Sequence, residues 1–159
     1  MDQKRIDIEE RVLRARELFL KGYNCSQAVF CAYSDIYDIP EELALKLSAS
    51  FGGGIGRTRE TCGAVCGMVM LEGLESGQTK ENDDEQKQNN YKQVQQLIEL
   101  FKAENGSSIC KELLGLRKDA PIVPAPDART AEYYKQRPCL RMVESAARIF
   151  GKKINESVK

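Results

Sequence analysis

Six cysteines and no histidine set the chemistry open to this chain. Without histidine the commonest neutral-pH base is missing, and a Ser-His or Cys-His nucleophile is excluded. Bound zinc or iron would need thiolate or carboxylate ligands. The cysteine with the most informative surroundings is Cys62, in the stretch FGGGIGRTRETCGAVCG at 51–67. Gly52, Gly53, Gly54 and Gly56 suit a strained or close-packed turn. Thr61 reads as an N-cap, which puts Cys62 at about the first helical position. A thiol there faces the positive end of the helix dipole, with Arg57 and Arg59 nearby in sequence. Each influence lowers a thiol pKa, so Cys62 is expected to be a reactive thiolate.

Three more cysteines share that placement. Asn24 with Gln27 three residues on forms a capping-box pattern, which starts a helix at Cys25. Ser107 or Ser108 can cap a short helix, ICKELL, with Cys110 in its first turn. Pro138 suits the start of the last helix, with Cys139 just inside it. Lys111 stands beside Cys110 in the chain, and Arg137 and Arg141 flank Cys139. Should the four helix starts meet, they would form an S4 site suited to an iron–sulfur cluster or zinc. Cys31 and Cys66 fall inside helices and read as core packing.

Two familiar arrangements are absent from the sequence. There is no C-x-x-C pair, so the local chelate of zinc ribbons and ferredoxins is missing. The glycine run follows no strand and precedes no Gly-Lys-Ser/Thr, so it is not a phosphate loop. The four thiols could instead cycle as disulfides, for which three complete pairings exist.

The elements that must position these thiols are helices throughout. Ile8, Val12, Ala15 and Phe19 recur at helical spacing within 5–21. A second helix spans 25–37, and a third starts at Pro40 with Leu43, Leu47 and Phe51 as its expected buried stripe. A fourth covers 61–76, where Gly63, Gly67 and Gly73 imply close helix–helix approach. A fifth carries Tyr91, Val94, Leu97, Ile98 and Phe101 and stops at Asn105-Gly106. The short helix at 109–114 and the last one, from Pro138, complete the set. The expected fold is all-α: a compact bundle of about six to seven helices in a single domain over 1–159. A polar linker is expected at 78–90 and a Pro-rich loop at 116–130.

With 159 residues, 24 of them basic and 24 acidic, the chain has one domain's worth of core and no net charge. No nucleic-acid partner and no anionic surface is implied. The charged opening MDQKRIDIEE lacks an apolar core, so no signal peptide is expected, and no stretch is long and apolar enough to span a membrane. A cytoplasmic setting follows, where structural disulfides are not the default use of cysteine. A homo-oligomer stays open, although no heptad seam argues for one.

GYNCSQAVF at 22–30, FGGGIGRTRETCGAVCG at 51–67, and the single later cysteines Cys110 and Cys139 resemble the redox-active family known by its C_GCAxxG_C_C pattern. The resemblance covers nearly the whole chain. It carries the family's four signature cysteines onto Cys25, Cys62, Cys110 and Cys139, and no role onto Cys31 or Cys66. It implies a small redox protein with a redox partner or a transporter-associated setting, and it supplies no reaction. A related module in split-Soret-type cytochromes holds a [2Fe–2S] cluster, which strengthens the cluster reading. No CxxCH haem site exists here. Three readings follow: an iron–sulfur electron-transfer protein, a thiol–disulfide enzyme or sensor acting through Cys62, and a zinc or metal carrier.

Overall fold

The computed structural model describes residues 5–158. Residues 1–4, part of the opening read as carrying no signal peptide, lie outside the described residues. Helix α1 (Ile8–Leu20) begins at Asp7, whose carboxylate accepts the Glu10 N–H. It buries Val12, Ala15, Leu18 and Phe19 and is followed by Gly22 at φ +109°. Helix α2 (Cys25–Cys31) carries the reciprocal Asn24–Gln27 cap that its sequence predicts. A 3-10 turn (Ser34–Tyr37) leads to α3 (Glu41–Ala49), a single turn α4 (Gly52–Ile55), and α5 (Gly63–Ser76). Then come α6 (Asp84–Asn105), α7 (Cys110–Leu113), α8 (Ala131–Gln136) and α9 (Cys139–Ser157). Among the described residues there is no strand, only an isolated bridge between Thr61 and Ile109. The fold is all-α. No helix among those residues is long and apolar enough to cross a membrane.

The core forms where α1 packs along α9 and α2 along α5, with α6 laid over α5 and α9. Phe19, Val29, Val65, Met68, Leu71, Phe101, Val143 and Phe150 fill it. Tyr33 is wholly buried, and its hydroxyl donates to the Ala147 carbonyl at 2.6 Å, so the polar atom is satisfied. Gly67 accounts for the fit of α5 on α2. A Cβ there would stand 2.8 Å from the Ser26 carbonyl oxygen, closer than packing allows. Close approach offsets the roughly 1 kcal/mol that glycine costs in a helix.

Two expectations change. In α3 the buried residues are Ala44 and Ser48, while Leu43 and Leu47 are 48% and 46% exposed. The helix lies close against α2, and small side chains fit that gap. The Ser48 hydroxyl is satisfied within its own helix, on the Ala44 carbonyl at 2.7 Å.

The glycine stretch, expected merely to end α3, builds an element of its own. Gly53, Gly54, Ile55, Gly56 and Arg57 are successive residues with φ between +59° and +74°, so α4 winds left-handed. Each L-residue held that way costs about 1–2 kcal/mol, which glycine escapes. Ile55 and Arg57 bear it, and Arg59 returns to φ +63° two residues later. Strain is therefore concentrated immediately before Cys62. The polar run at 78–90 is irregular only as far as Asp83, whose carboxylate caps α6 through the Gln86 N–H.

Candidate functional site

The four helix starts converge. Cys25, Cys62, Cys110 and Cys139 line one cavity of about 300 Å³, and Cys31 and Cys66 do not. Cys25 is placed by the Asn24 cap at the first position of α2. Cys139 opens α9 directly after Pro138, whose carbonyl accepts the Met142 N–H.

Cys62 and Cys110 are placed by a feature that the sequence reading lacked. Thr61 does not cap α5. It pairs antiparallel with Ile109, and Cys62 itself takes the N-cap position. The Cys62 N–H donates to Ser108 O at 2.8 Å, the Cys110 N–H to Glu60 O at 2.6 Å, and the Lys111 N–H to Arg59 O at 3.1 Å. Side chains alternate along such a ribbon, so Cys62 and Cys110 fall on the same face, diagonally across the pairing.

The motif glycines make room for sulfur. A Cβ on Gly63 would lie 2.4 Å from Cys25 Sγ, and one on Gly54 would lie 2.7 Å from Cys110 Cβ. The Cys-Gly step of the motif thus lets a second cysteine lie against the one that begins α5.

The Pro-rich segment forms a strap over the cavity. Pro124, Pro126 and Asp127 contribute to its lining, together with Phe19, Tyr133 and Met142. Arg57 holds the strap, donating to Val123 O at 2.9 Å and to Ala125 O, and pairing with Asp127 at 3.2 Å. Arg137 reaches the same carboxylate. Arg129 donates to Phe19 O and Tyr23 O at 3.0 Å each and stacks 4.2 Å above the Phe19 ring.

The electrostatics reverse the expectation for Cys62. Burial pushes its thiol well above the ordinary value, and the neighbouring Cys25 adds to that. The N–H groups of Ala64 and Val65 at the start of α5 oppose the rise without cancelling it. Magnitudes explain this: a helix terminus contributes about 0.3–1 kcal/mol, whereas full desolvation can move a pKa by up to about 3–5 units. Burial likewise raises Cys25, against the N–H groups of Gly53 and Ser26. Cys139 is pushed up to about 11 by burial, then by Cys25 and Cys110, with Arg137 and Tyr133 pulling the other way.

The cations expected beside Cys62 are engaged elsewhere. Arg57 holds the strap, and Arg59 reaches Cys110, with Nη1 at 3.7 Å from Sγ. Lys111 turns to Lys118 O, and Arg141 is exposed. Cys66 donates to Thr61 O at 3.8 Å, and Cys31 is buried in the core.

Among the described residues no three His, Cys, Asp or Glu side chains gather closely enough to hold one metal ion. A lone zinc needs four ligands about 2.3 Å from one point. An iron–sulfur cluster distributes its thiolates over separate irons. The donor set around the cavity is four thiols, with Gly63 leaving room for Cys25 and Gly54 for Cys110.

Asp127, Arg129 and Tyr133 went unnoticed in the sequence. Only the Pro-rich composition of 116–130 marked the segment as unusual, and nothing in it showed which surface it covers.

The family model described as "Putative redox-active protein (C_GCAxxG_C_C)" matches residues 23–153. No curated protein and no solved structure matches the chain.

Proposed function

The chain belongs to this redox-active family, and on that premise we propose that Cys25, Cys62, Cys110 and Cys139 together hold an iron–sulfur cluster used in electron transfer. One observation carries the reading. Of six cysteines, the four that line a common cavity come from four different helix starts, and the two that lie inside helices stay out of it.

The bound cluster would supply one-electron chemistry. The chain's own residues supply the rest. Burial raises the thiols of Cys25, Cys62 and Cys139, so these three keep their protons until a cation is present to take the thiolates. Backbone N–H groups of Gly53, Ser26, Ala64 and Val65 stand ready for the charge on Cys25 and Cys62. The strap, pinned by Arg57 and Arg137 on Asp127, limits the access of water. The electron partner is a redox protein or a transporter-associated component.

A second reading rests on the shared face of Cys62 and Cys110. The two thiols would form one disulfide and pass two electrons and two protons to a partner disulfide, which becomes two thiols.

Protein prepared without oxygen distinguishes the readings. The expected outcome is brown protein with bound iron and sulfide. Serine at 25, 62, 110 or 139 should remove the iron, while Cys31→Ser and Cys66→Ser should retain it. Colourless, iron-free protein after anaerobic reconstitution would end the cluster reading. A Cys62–Cys110 disulfide formed when that same material is treated with a disulfide oxidant would favour the second.

A further inference from the structure

We propose that Arg59 sets the redox poise of the site through the N–H it aims at the Cys110 sulfur. The inference rests on the reading of the four cysteines as a redox site and names a residue that the cysteine pattern does not contain.

The first support is geometric. Arg59 Nη1 lies 3.7 Å from Cys110 Sγ, within reach for a hydrogen bond to sulfur. The second is its lack of any other charged commitment. Arg57 and Arg137 share the Asp127 carboxylate, and Arg129 is spent on two carbonyls. Arg59 has no ion pair among the described residues and lines the thiol cavity. The third is its backbone. Arg59 sits at φ +63°, a region suited to glycine, in a segment rich in glycine. It is fixed there on both sides, its N–H on Gly53 O at 3.2 Å and its carbonyl accepting the Lys111 N–H at 3.1 Å. The bond from Lys111 joins Arg59 to the helix that carries Cys110, so the guanidinium and the sulfur are held by one short ribbon. A strained backbone that presents a charged donor to a reactive atom is the pattern of a positioning residue.

The physical consequence has a sign. A guanidinium N–H donated to sulfur stabilises added negative charge there, so it favours the reduced form of the site. Backbone amides serve Cys25 and Cys62, whereas side chains reach Cys110, from Arg59, and Cys139, from Arg137 and Tyr133.

Glycine provides the decisive variant, because it accepts φ +63° without strain while deleting the donor. Arg59→Gly, Arg59→Gln and Arg59→Lys would be compared with the parent as full-length, anaerobically reconstituted protein. At a fixed applied potential, R59G and R59Q should shift the reduced-to-oxidised ratio about tenfold toward oxidised, which is ~59 mV for a one-electron couple. R59K should fall between them and the parent. The Tm of R59G should be equal to or above that of the parent. In cluster-free protein, the equilibrium of a Cys62–Cys110 disulfide with a glutathione buffer should shift about tenfold toward the disulfide in R59G. An unchanged cluster potential in R59G, or an unchanged disulfide equilibrium where no cluster forms, would overturn the proposal. So would a lower Tm with loss of the cluster, which marks a structural role. If no cluster assembles in the parent, the proposed cluster function fails and the disulfide equilibrium alone decides on Arg59.

Discussion

The two ends of α5 bury ionisable groups in opposite ways. At its C-terminal end Glu72 is fully buried and ion-paired with Lys153. Ser76 donates to its other oxygen at 2.6 Å, and Asn90 donates to Ser76 at 3.0 Å. At its N-terminal end Cys62 is also buried and shares a cavity with three more thiols, and no cation among the described residues hydrogen-bonds to it. A carboxylate keeps its charge in the interior only where the fold supplies a partner for it. A thiol can be buried neutral. Under the proposed function the thiol end takes on charge only when iron or an oxidant arrives, whereas the carboxylate end is settled once the chain folds.

Breaking the settled end should have the largest effect. Burial pulls the Lys153 ammonium down to about 8. Lys153→Met leaves Glu72 without its partner and should cost about 3–5 kcal/mol in urea denaturation. Adding Glu72→Leu to that variant should restore most of the loss, because a packed apolar pair replaces a buried ionic one. Iron content should stay the same in both if the two ends are independent.

The next largest effect belongs to the thiol end. Gly63→Ala would put a Cβ 2.4 Å from Cys25 Sγ and 2.9 Å from Phe51 O. Stability should fall by about 1–3 kcal/mol and bound iron should be lost with it, as read by calorimetry and metal analysis. Full iron loading in this variant would show that Gly63 is a packing residue and not part of the sulfur cradle.

A smaller effect separates the ends by pH. Cys31 and Cys66 are pushed from about 9 to about 11 by burial. Their protons are held more tightly in the folded chain than in the unfolded one. Their stabilising contribution is whole below about 9 and lost as pH rises toward about 11. Metal-free, reduced protein should lose stability across that window, and Cys31→Ala with Cys66→Ala should flatten the slope. A slope unchanged in the double variant would remove these thiols as its source.

The legibility of the chain divides along the range of each interaction. The Asn24–Gln27 box, the stops at Gly22 and Gly106, and the start of α9 after Pro138 were readable, because each is decided by residues within a few positions. Thr61 misled because a good capping residue was drawn into a pairing with Ile109, 48 positions away in number, fixed by hydrogen bonds to Ser108 and from Cys110. Leu43 and Leu47 misled because the hydrophobic stripe of α3 gave way to a small-residue contact.

The sequence by itself determined that four cysteines begin helices and that the chain is helical throughout, since caps and periodicity are local. Tertiary structure decided that the four share a cavity and that α4 winds left-handed beside them. It also decided that Arg59 serves Cys110 and not Cys62. It reversed the sign of the Cys62 shift as well, because the depth at which a thiol is buried is set by every element packed over it, and no stretch of sequence contains that depth.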